Sequence, residues 1–494
     1  ATCQNESSLV LDAYPNDTDN DDIDDLTDTD DNNDGVIDID ADSDGLVDVD
    51  TLAQLNAMRY QLDGMGLRMT SNGDLEQSGC PAVIHQGVLV NRCHGYELTA
   101  DLDFDTNQDA VMDTNDTYWS NGEGWSPIGS SNDRFTATFE GNGHVIRNLF
   151  INRSNQYYQG LFAYTQSALI RNLGLTGPLM SVTGSSYLGA LAGYVSLSEI
   201  TNVFNTGPVI GSYYVGGLVG SLISSTLENA VNTGPVTGSY VVGGLVGYAS
   251  SSQNALVSST VRNGLSTGLV SGSSNSGGLV GYNGSPYTVI ENSYWASDAS
   301  GQTTSAGESE ANSYVGLPLA TLQCAVTANT DSSNSSCVSA DGSAEGFTGP
   351  VTLFNGWDQA LLEGQNLWDF GSVSQSPAMA FDSIIYRDND SDGVLDYEDA
   401  FPQNPAAFSD TDVDGHPDML SLSCDASCIA NSGLQLDQFP DNADAWQDDD
   451  LDGQPDSWGT SCDATCQNES SLVLDAYPND TDNDGINDLT DTDD

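Results

Sequence analysis

Hydrophobic positions in this 494-residue chain follow two unlike patterns. From about Phe139 to Trp295, short runs of Val, Leu and Ile alternate with Gly, Ser, Thr and Asn. One tetrad returns three times, as Gly217-Leu218-Val219-Gly220, Gly244-Leu245-Val246-Gly247 and Gly278-Leu279-Val280-Gly281. Gly189-Ala190-Leu191-Ala192-Gly193 and Gly160-Leu161-Phe162-Ala163 are degenerate copies, and the tetrad leucines step from Leu161 by 30, 27, 27 and 34 residues. Units of that size cannot bury an apolar face alone, so they predict stacked coils, with Gly where backbones approach. A second marker keeps pace: Asn148, Asn172, Asn202, Asn229, Asn263 and Asn292, preceded by Arg147, Arg171, Thr201, Glu228, Arg262 and Glu291. This predicts an outward side chain beside a ladder of turn or buried Asn. Upstream, Leu52, Leu55, Leu62 and Met65 fit one face of a short helix ended by Gly64 and Gly66, placed as the N-terminal cap. The expected fold class is all-β: a parallel β-helix (β-solenoid) with caps, flanked by irregular repeat rods.

The flanks are the second pattern, poor in apolar residues and dense in Asp. Eighteen of the first fifty residues are Asp or Glu, and the stretch from Asp382 to Asp494 is similarly loaded. Between Glu140 and Ser297 there is no Asp. The formal charge of −64 excludes a nucleic-acid binder, which needs a basic face, and argues against an anionic membrane surface. All nine basic residues are Arg, so a Lys–Asn isopeptide staple is chemically impossible. A random polyanion would stay disordered. These acids are instead in register.

The recurring spacing is D-x-D-x-D-G-x-x-D. It reads at Asp388-Asp390-Asp392-Gly393-Asp396, Asp410-Asp412-Asp414-Gly415-Asp418, Asp448-Asp450-Asp452-Gly453-Asp456 and Asp480-Asp482-Asp484-Gly485-Asp488. The N-terminal arm carries Asp40-Asp42-Asp44-Gly45-Asp48 and Asp30-Asn32-Asp34-Gly35-Asp38. Asp17-Asp19-Asp21-Asp25 has Asp22 in the Gly place. A further candidate is Asp103-Asp105-Asn107-Asp109-Asp113. Alternate carboxylates in a tight loop converge on one point, Gly permits a φ > 0 turn, and the last Asp closes the shell. Six to eight oxygens suit calcium, with several ions per chain, better than magnesium's strict octahedron. Neither the flanking helices nor the twelfth-position Glu of an EF-hand is visible.

Nine cysteines fall as the close pairs Cys80/Cys93, Cys324/Cys337, Cys424/Cys428 and Cys462/Cys466, with Cys3 left over. The four His (His85, His94, His144, His416) are scattered, so the pairs read as local disulfides of an oxidising compartment rather than zinc sites. The uncharged stretch from Ile200 to Leu227 is too rich in Gly, Ser, Thr and Asn to span a membrane.

The ends repeat one another. Residues 1–31 return as 464–494, differing only at Asp22/Gly485 and Asp24/Asn487. Ser461-Cys462-Asp463 precedes the second copy, so the partner of Cys3 is expected upstream of residue 1, and the chain reads as a mature piece of a longer polypeptide or a subunit continuing a neighbour. Within the C-terminal flank, Ser423–Cys428 recurs at Ser461–Cys466, and the DxFP element Asp399–Pro402 recurs at Asp437–Pro440 and, as DAYP, at Asp475–Pro478.

The acid-rich segments resemble thrombospondin type 3 repeats over roughly residues 1–50 and 382–494. The resemblance implies a disulfide-linked rod folded around calcium. The tetrads resemble the GLUG motif of bacterial surface proteins. Gly45–Asp48 with Leu52–Tyr60, Trp125–Gly129, Phe139–His144 and Trp368–Gly371 are similar to the segments that open and close such regions. The partition expected is 1–50 calcium-binding repeats, 51–138 N-terminal cap with helix and disulfide, 139–300 solenoid, 301–381 C-terminal cap with disulfide, and 382–494 calcium-binding repeats.

These readings predict a non-enzymatic, calcium-binding protein of the bacterial cell surface, a unit of a fibre, stalk or adhesin. Its expected partners are itself, end to end, and surface glycans or other cells, without nucleic acid or membrane insertion. The alternative is a polysaccharide-binding or polysaccharide-degrading β-helix. That chemistry needs convergent carboxylates, and the coils offer only Glu199, Glu228 and Glu291, two of them at the outward repeat position. The GLUG motif also accompanies IgA-peptidase-type proteases, yet no protease signature is present. Tyr157, Tyr158, Tyr187, Tyr213, Tyr214 and Tyr240 share a coil position and are expected to stack between coils; the other reading is a sugar-binding face.

Overall fold

The computed structural model describes residues 39–85, 88–251, 258–307, 314–323, 353–354, 356–357, 360–362, 364–371, 375–421, 424 and 426–481. Among them the chain winds into a parallel β-solenoid with three faces. The first face is a 12-stranded sheet running from Leu46–Val49 through Gly95–Leu98, Thr138–Glu140, Leu169–Thr176, Glu199–Asn205, Thr226–Asn232, Thr260–Ser266 and Ser293–Ala296 to Tyr314–Leu317. The second is 8-stranded and includes Phe150–Gln159, Ser181–Leu188, Tyr213–Gly216 and Tyr240–Gly243. The third stacks Phe162–Gln166, Ala192–Ser196, Val219–Ile223, Val246–Ser250 and Val280–Asn283, one strand per coil.

The tetrads owe their glycines to coil spacing. The Leu of each points into the core, where Leu191, Leu218, Leu245 and Leu279 are at most 1 % exposed. A Cβ on Gly217 or Gly244 would lie 2.4 or 2.2 Å from the carbonyl oxygen of the next coil's first tetrad Gly. A Cβ on Gly220 or Gly247 would lie within 2.6 Å of the previous coil's backbone, at Leu188 N and Val215 N. Adjacent strands sit about 4.8 Å apart, and at these positions that leaves no room for a side chain.

The Asn marker is a hydrogen-bonded ladder. Nδ2 of Asn202, Asn229, Asn263 and Asn292 donates to Oδ1 of the preceding coil's Asn at 2.7, 2.9, 3.0 and 2.7 Å, and Asn172 donates to Glu140 Oε1 at 2.8 Å. All five have φ between 48° and 57°, a left-handed conformation that Asn tolerates better than other side chains. Asn148 is the exception. Strand Val145–Arg147 pairs with Gly174–Thr176, which puts Asn148 one strand further round, where its amide donates to Asp103 at 2.9 Å. The residues before the ladder Asn, Arg171, Thr201, Glu228, Arg262 and Glu291, stand in register with one another and with Glu140. Arg171 pairs with Glu140, and Arg262 with both Glu228 and Glu291. Replacing Asn229 by Ala removes two ladder bonds and leaves Ala at φ 50°. We expect a loss of about 3 kcal/mol, read by urea denaturation, with Asn229→Gly costing less because Gly accepts that backbone.

The helix is shorter than the apolar pattern predicts. It spans Leu52–Ala57 under a Thr51/Gln54 capping box, tightens to a 3₁₀ turn at Met58–Tyr60, and ends as Gln61 adopts φ −145°. Leu62 therefore packs on the core from beyond the helix. Coil length varies at the corners. Two residues join Val219–Ile223 to Thr226–Asn232, whereas nine join Val246–Ser250 to Thr260–Ser266, which accounts for the 34-residue step. The ends of the longer connection are tied by Ser259 N donating to Ser251 Oγ at 2.7 Å.

The segment after the solenoid returns along its flank. Phe204, Val231, Leu265 and Tyr294, on the outside of the first face, form a second core with Phe354, Trp357, Trp368, Met379, Phe381 and Tyr386. Arg147 pairs with Glu398 at 2.7 Å, which fixes the first C-terminal Asp loop against the coils.

Candidate metal centres

Four Asp loops are built on one hydrogen-bond scaffold. In the loop of Asp410, Gly415 N donates to Asp410 Oδ2 at 2.9 Å, Asp414 N to Asp412 Oδ1 at 3.2 Å, His416 N to Asp414 Oδ1 at 2.8 Å and Thr411 N to Asp418 Oδ1 at 3.0 Å. The loops of Asp40 and Asp448 repeat all four bonds, the first at 3.0, 3.2, 2.7 and 2.9 Å and the second at 2.8, 3.2, 2.7 and 3.1 Å. The loop of Asp388 repeats the last three, at 3.2, 2.9 and 2.8 Å. Each loop has two left-handed residues. One is the predicted Gly, at φ 95°, 102°, 95° and 87° for Gly45, Gly393, Gly415 and Gly453. The other is the residue two before it, Ser43, Ser391, Val413 or Leu451, at φ 56–66°. For a β-branched residue such as Val413 that conformation is strained.

The scaffold turns carboxylate oxygens toward one another. One oxygen from each of Asp40, Asp42 and Asp44 lies within 4.8 Å of the others, and the same holds for Asp388, Asp390 and Asp392 and for Asp410, Asp412 and Asp414. Several oxygens of the loop carboxylates are buried yet accept no hydrogen bond among the described residues, including Asp40 Oδ1, Asp388 Oδ1, Asp390 Oδ2, Asp412 Oδ2, Asp448 Oδ1 and Asp456 Oδ1. Buried carboxylate oxygens normally find donors. Burial, reinforced by neighbouring acids, pushes Asp40 and Asp388 up to about 8 and Asp392 to about 9, and it raises Asp48 and Asp390 to about 6. An all-oxygen donor set with orphaned oxygens fits a hard divalent cation.

In the cap loop the register differs from the spacing read in sequence. Ala110, at φ 59°, takes the Gly place, with its N donating to Asp105 Oδ2 at 2.9 Å, so Asp105, Asn107 and Asp109 are the first three positions. The closing role falls to Asp116, which is 4 % exposed and accepts from Thr106 N at 2.8 Å. Asp103 instead receives Asn148, and Asp113 receives Asn115 N at 2.7 Å. Asp116 escaped the pattern because three inserted residues displace it.

The DxFP element supplies acids that spacing alone did not assign. Asp437 and Asp475 each use Oδ1 to accept from Phe439 N and Tyr477 N, both at 2.7 Å, while Oδ2 is buried without a donor. Asp437 lies beside Asp412 and Asp414 and is raised to about 6, first by burial and then by those neighbours. Asp399 lies beside Asp390 and Asp396 and is raised to about 7, chiefly by burial. In its third copy the same element donates a backbone N–H to the second loop Asp, from Asp480 N to Asp450 Oδ2 at 2.8 Å. The signal was present in sequence as the 38-residue recurrence of DxFPxN/D.

Asp17, Asp19, Asp21, Asp25, Asp30, Asn32, Asp34, Asp38, Asp482, Asp484 and Asp488, with Cys3, Cys324 and Cys337, lie outside the described residues. Cys80–Cys93, Cys424–Cys428 and Cys462–Cys466 are disulfides. Five of the six Tyr stack between coils as expected: Tyr158–Tyr187 and Tyr187–Tyr214 at 4.9 Å, and Tyr213–Tyr240 at 4.8 Å, with a parallel row at Tyr164–Tyr194 at 4.4 Å; Tyr157 instead lies tilted against Tyr158 of its own strand and is exposed. Rings stacked this way cover each other's faces, so they offer few faces to a sugar.

No family model matches the chain. A protein of Evansella cellulosilytica named as a Gly-rich membrane protein is 46% identical over 74 residues, 15% of this chain and 9% of that protein. Halomucin of Haloquadratum walsbyi is 36% identical over 122 residues, 24% of this chain and 1% of halomucin. The chain thus spans less than a tenth of either relative. A Bacteroides ovatus structure named for an immunoglobulin A1 protease has a TM-score of 0.32 at 19% identity, over 51% of this chain and 66% of that one. A second structure, named IgA1 protease, has a TM-score of 0.24 at 17% identity, over 41% of this chain and 15% of that one. Scores this low carry no activity to this chain.

Proposed function

We propose that the chain is a calcium-loaded, non-enzymatic structural protein of the bacterial cell surface, a unit of an extracellular fibre, stalk or adhesin that joins copies of itself end to end. The observation that carries the reading is the set of buried Asp oxygens without donors, recurring on one scaffold in loop after loop. Calcium would be held by Asp40, Asp42, Asp44 and Asp48; by Asp388, Asp390, Asp392 and Asp396; by Asp410, Asp412, Asp414 and Asp418; and by Asp448, Asp450, Asp452 and Asp456. Asp399, Asp437 and Asp475 would reach in from the DxFP elements. Bound calcium would replace the protons that burial otherwise demands and offset the strain at Val413 and Leu451. The disulfides support an oxidising, extracytoplasmic setting. The name halomucin, borne by one partial relative, accords with a surface role. Against a hydrolytic site, Glu228 and Glu291 are both engaged by Arg262.

Calorimetric titration of calcium into chelator-treated chain tests the reading. Several ions should bind per chain, with contraction in hydrodynamic radius and little change in the β-signal of the solenoid. Absence of both heat and contraction would remove calcium from the account.

A further inference from the structure

The Asp40–Asp48 loop opens directly into the first strand of the solenoid, and that strand lays Asp48 beside a second acid. Leu46–Val49 pairs in parallel with Gly95–Leu98, and Asp48 stands opposite Glu97; Glu97 in turn stands opposite Glu140. In-register residues of parallel strands project from the same face about 4.8 Å apart, so three carboxylates are stacked rung on rung. The third rung is already neutralised, because Glu140 pairs with Arg171 and accepts from Asn172 Nδ2 at 2.8 Å. Glu97 has no such cation. It is 6 % exposed, only one of its oxygens accepts a bond, from Asn142 Nδ2, and no Arg or His pairs with it among the described residues. Asp44, Asp42 and Asp48 of the loop are among the charged groups that act on it. Asp40, at the head of the same loop, is fully buried and holds Oδ1 without a donor.

We propose that Glu97 is a ligand of the divalent cation held by the Asp40–Asp48 loop, so that one ion is shared between the acidic arm and the first coil of the solenoid. Two carboxylates a strand spacing apart are bridged by one calcium with its oxygens at roughly 2.3–2.6 Å. The arrangement gives the arm a fixed exit: the ion ties Asp42 and Asp44, on the loop, to the strand Gly95–Leu98 further along the chain. The proposal rests on reading the Asp40–Asp48 loop as a cation site. It adds a ligand from outside the repeat.

The test is calcium titration of the chelator-treated full chain, with hydrogen exchange read over residues 39–49 and 95–98. Wild type should gain protection in both segments at one calcium concentration. Glu97→Gln, which keeps the shape and the bond to Asn142, should shift that concentration upward tenfold or more while leaving exchange around Asp412 and Asp450 unchanged. Glu97→Asp keeps the charge but withdraws it by one methylene, and it should shift the midpoint too, which a purely electrostatic role would not do. Unshifted midpoints in both variants, with Asp44→Asn abolishing protection, would overturn the proposal and leave the loop reading intact. If Asp44→Asn is also without effect, both fall together.

Discussion

Stripped of divalent cations, the chain should lose stability as the pH rises from about 4 to 8, the reverse of ordinary acid denaturation. Burial holds Asp40 and Asp388 near 8, Asp392 near 9 and Asp399 near 7, against 3.8 for an unperturbed Asp. A folded chain that binds protons more tightly than the unfolded chain has that stability in full below about pH 3.8 and loses it as pH rises through the folded values. Calcium replaces those protons, so adding it should restore at pH 8 what alkali removed. A site occupied at a hundred times its dissociation constant contributes about 2.7 kcal/mol. Melting of chelated chain at pH 5 and pH 8, with and without millimolar calcium, gives the answer. A melting temperature that is higher at pH 8 than at pH 5 without calcium, or indifferent to calcium, would sink it.

Gly247→Ala should be among the most damaging single substitutions in the solenoid. Its Cβ would sit 2.5 Å from Tyr214 C, 2.6 Å from Val215 N and 2.7 Å from Gly220 O, all backbone of neighbouring coils. No rotamer relieves a clash with backbone, so the coils must part, at a cost of roughly 3 kcal/mol or more. Gly301→Ala is the contrast. It has nothing within 4 Å but a φ of 68°, so it carries only the conformational cost, about 1 kcal/mol. Equal denaturation midpoints for the two variants would show that close approach is not what the tetrad protects.

Much of this was legible because coils and loops repeat, and a repeat turns a weak local signal into a periodic one. The tetrad leucines, the Asn from Asn172 to Asn292 and the D-x-D-x-D-G spacing all carried their position in their period. What escaped was whatever the period did not carry. Asn148 fits the Asn list by spacing, yet pairing of Val145–Arg147 with Gly174–Thr176 places it elsewhere. Asp116 closes its loop three residues late, and Glu97 meets Asp48 only once strands far apart in sequence pair. The flank packing of Phe354, Trp357 and Phe381 likewise depends on an outer sheet face whose apolar residues, such as Phe204 and Val231, read in sequence as ordinary coil positions. Strand alternation names two faces without saying which of them will be covered.

The nine-residue connection between Val246–Ser250 and Thr260–Ser266 leaves the rungs on either side in register: Val246 still faces Val280 and Glu228 still faces Arg262. Its base is closed by Ser259 N donating to Ser251 Oγ, so the two ends of the connection are held together at the corner. Doubling the length of a closed loop costs only ~0.6 kcal/mol. Insertions and deletions at this corner are therefore close to neutral, while a single added residue within a strand would reverse its inward and outward faces. Related chains should diverge in length here first, and the corner is where a foreign epitope or binding peptide can be grafted onto the solenoid without unstacking it.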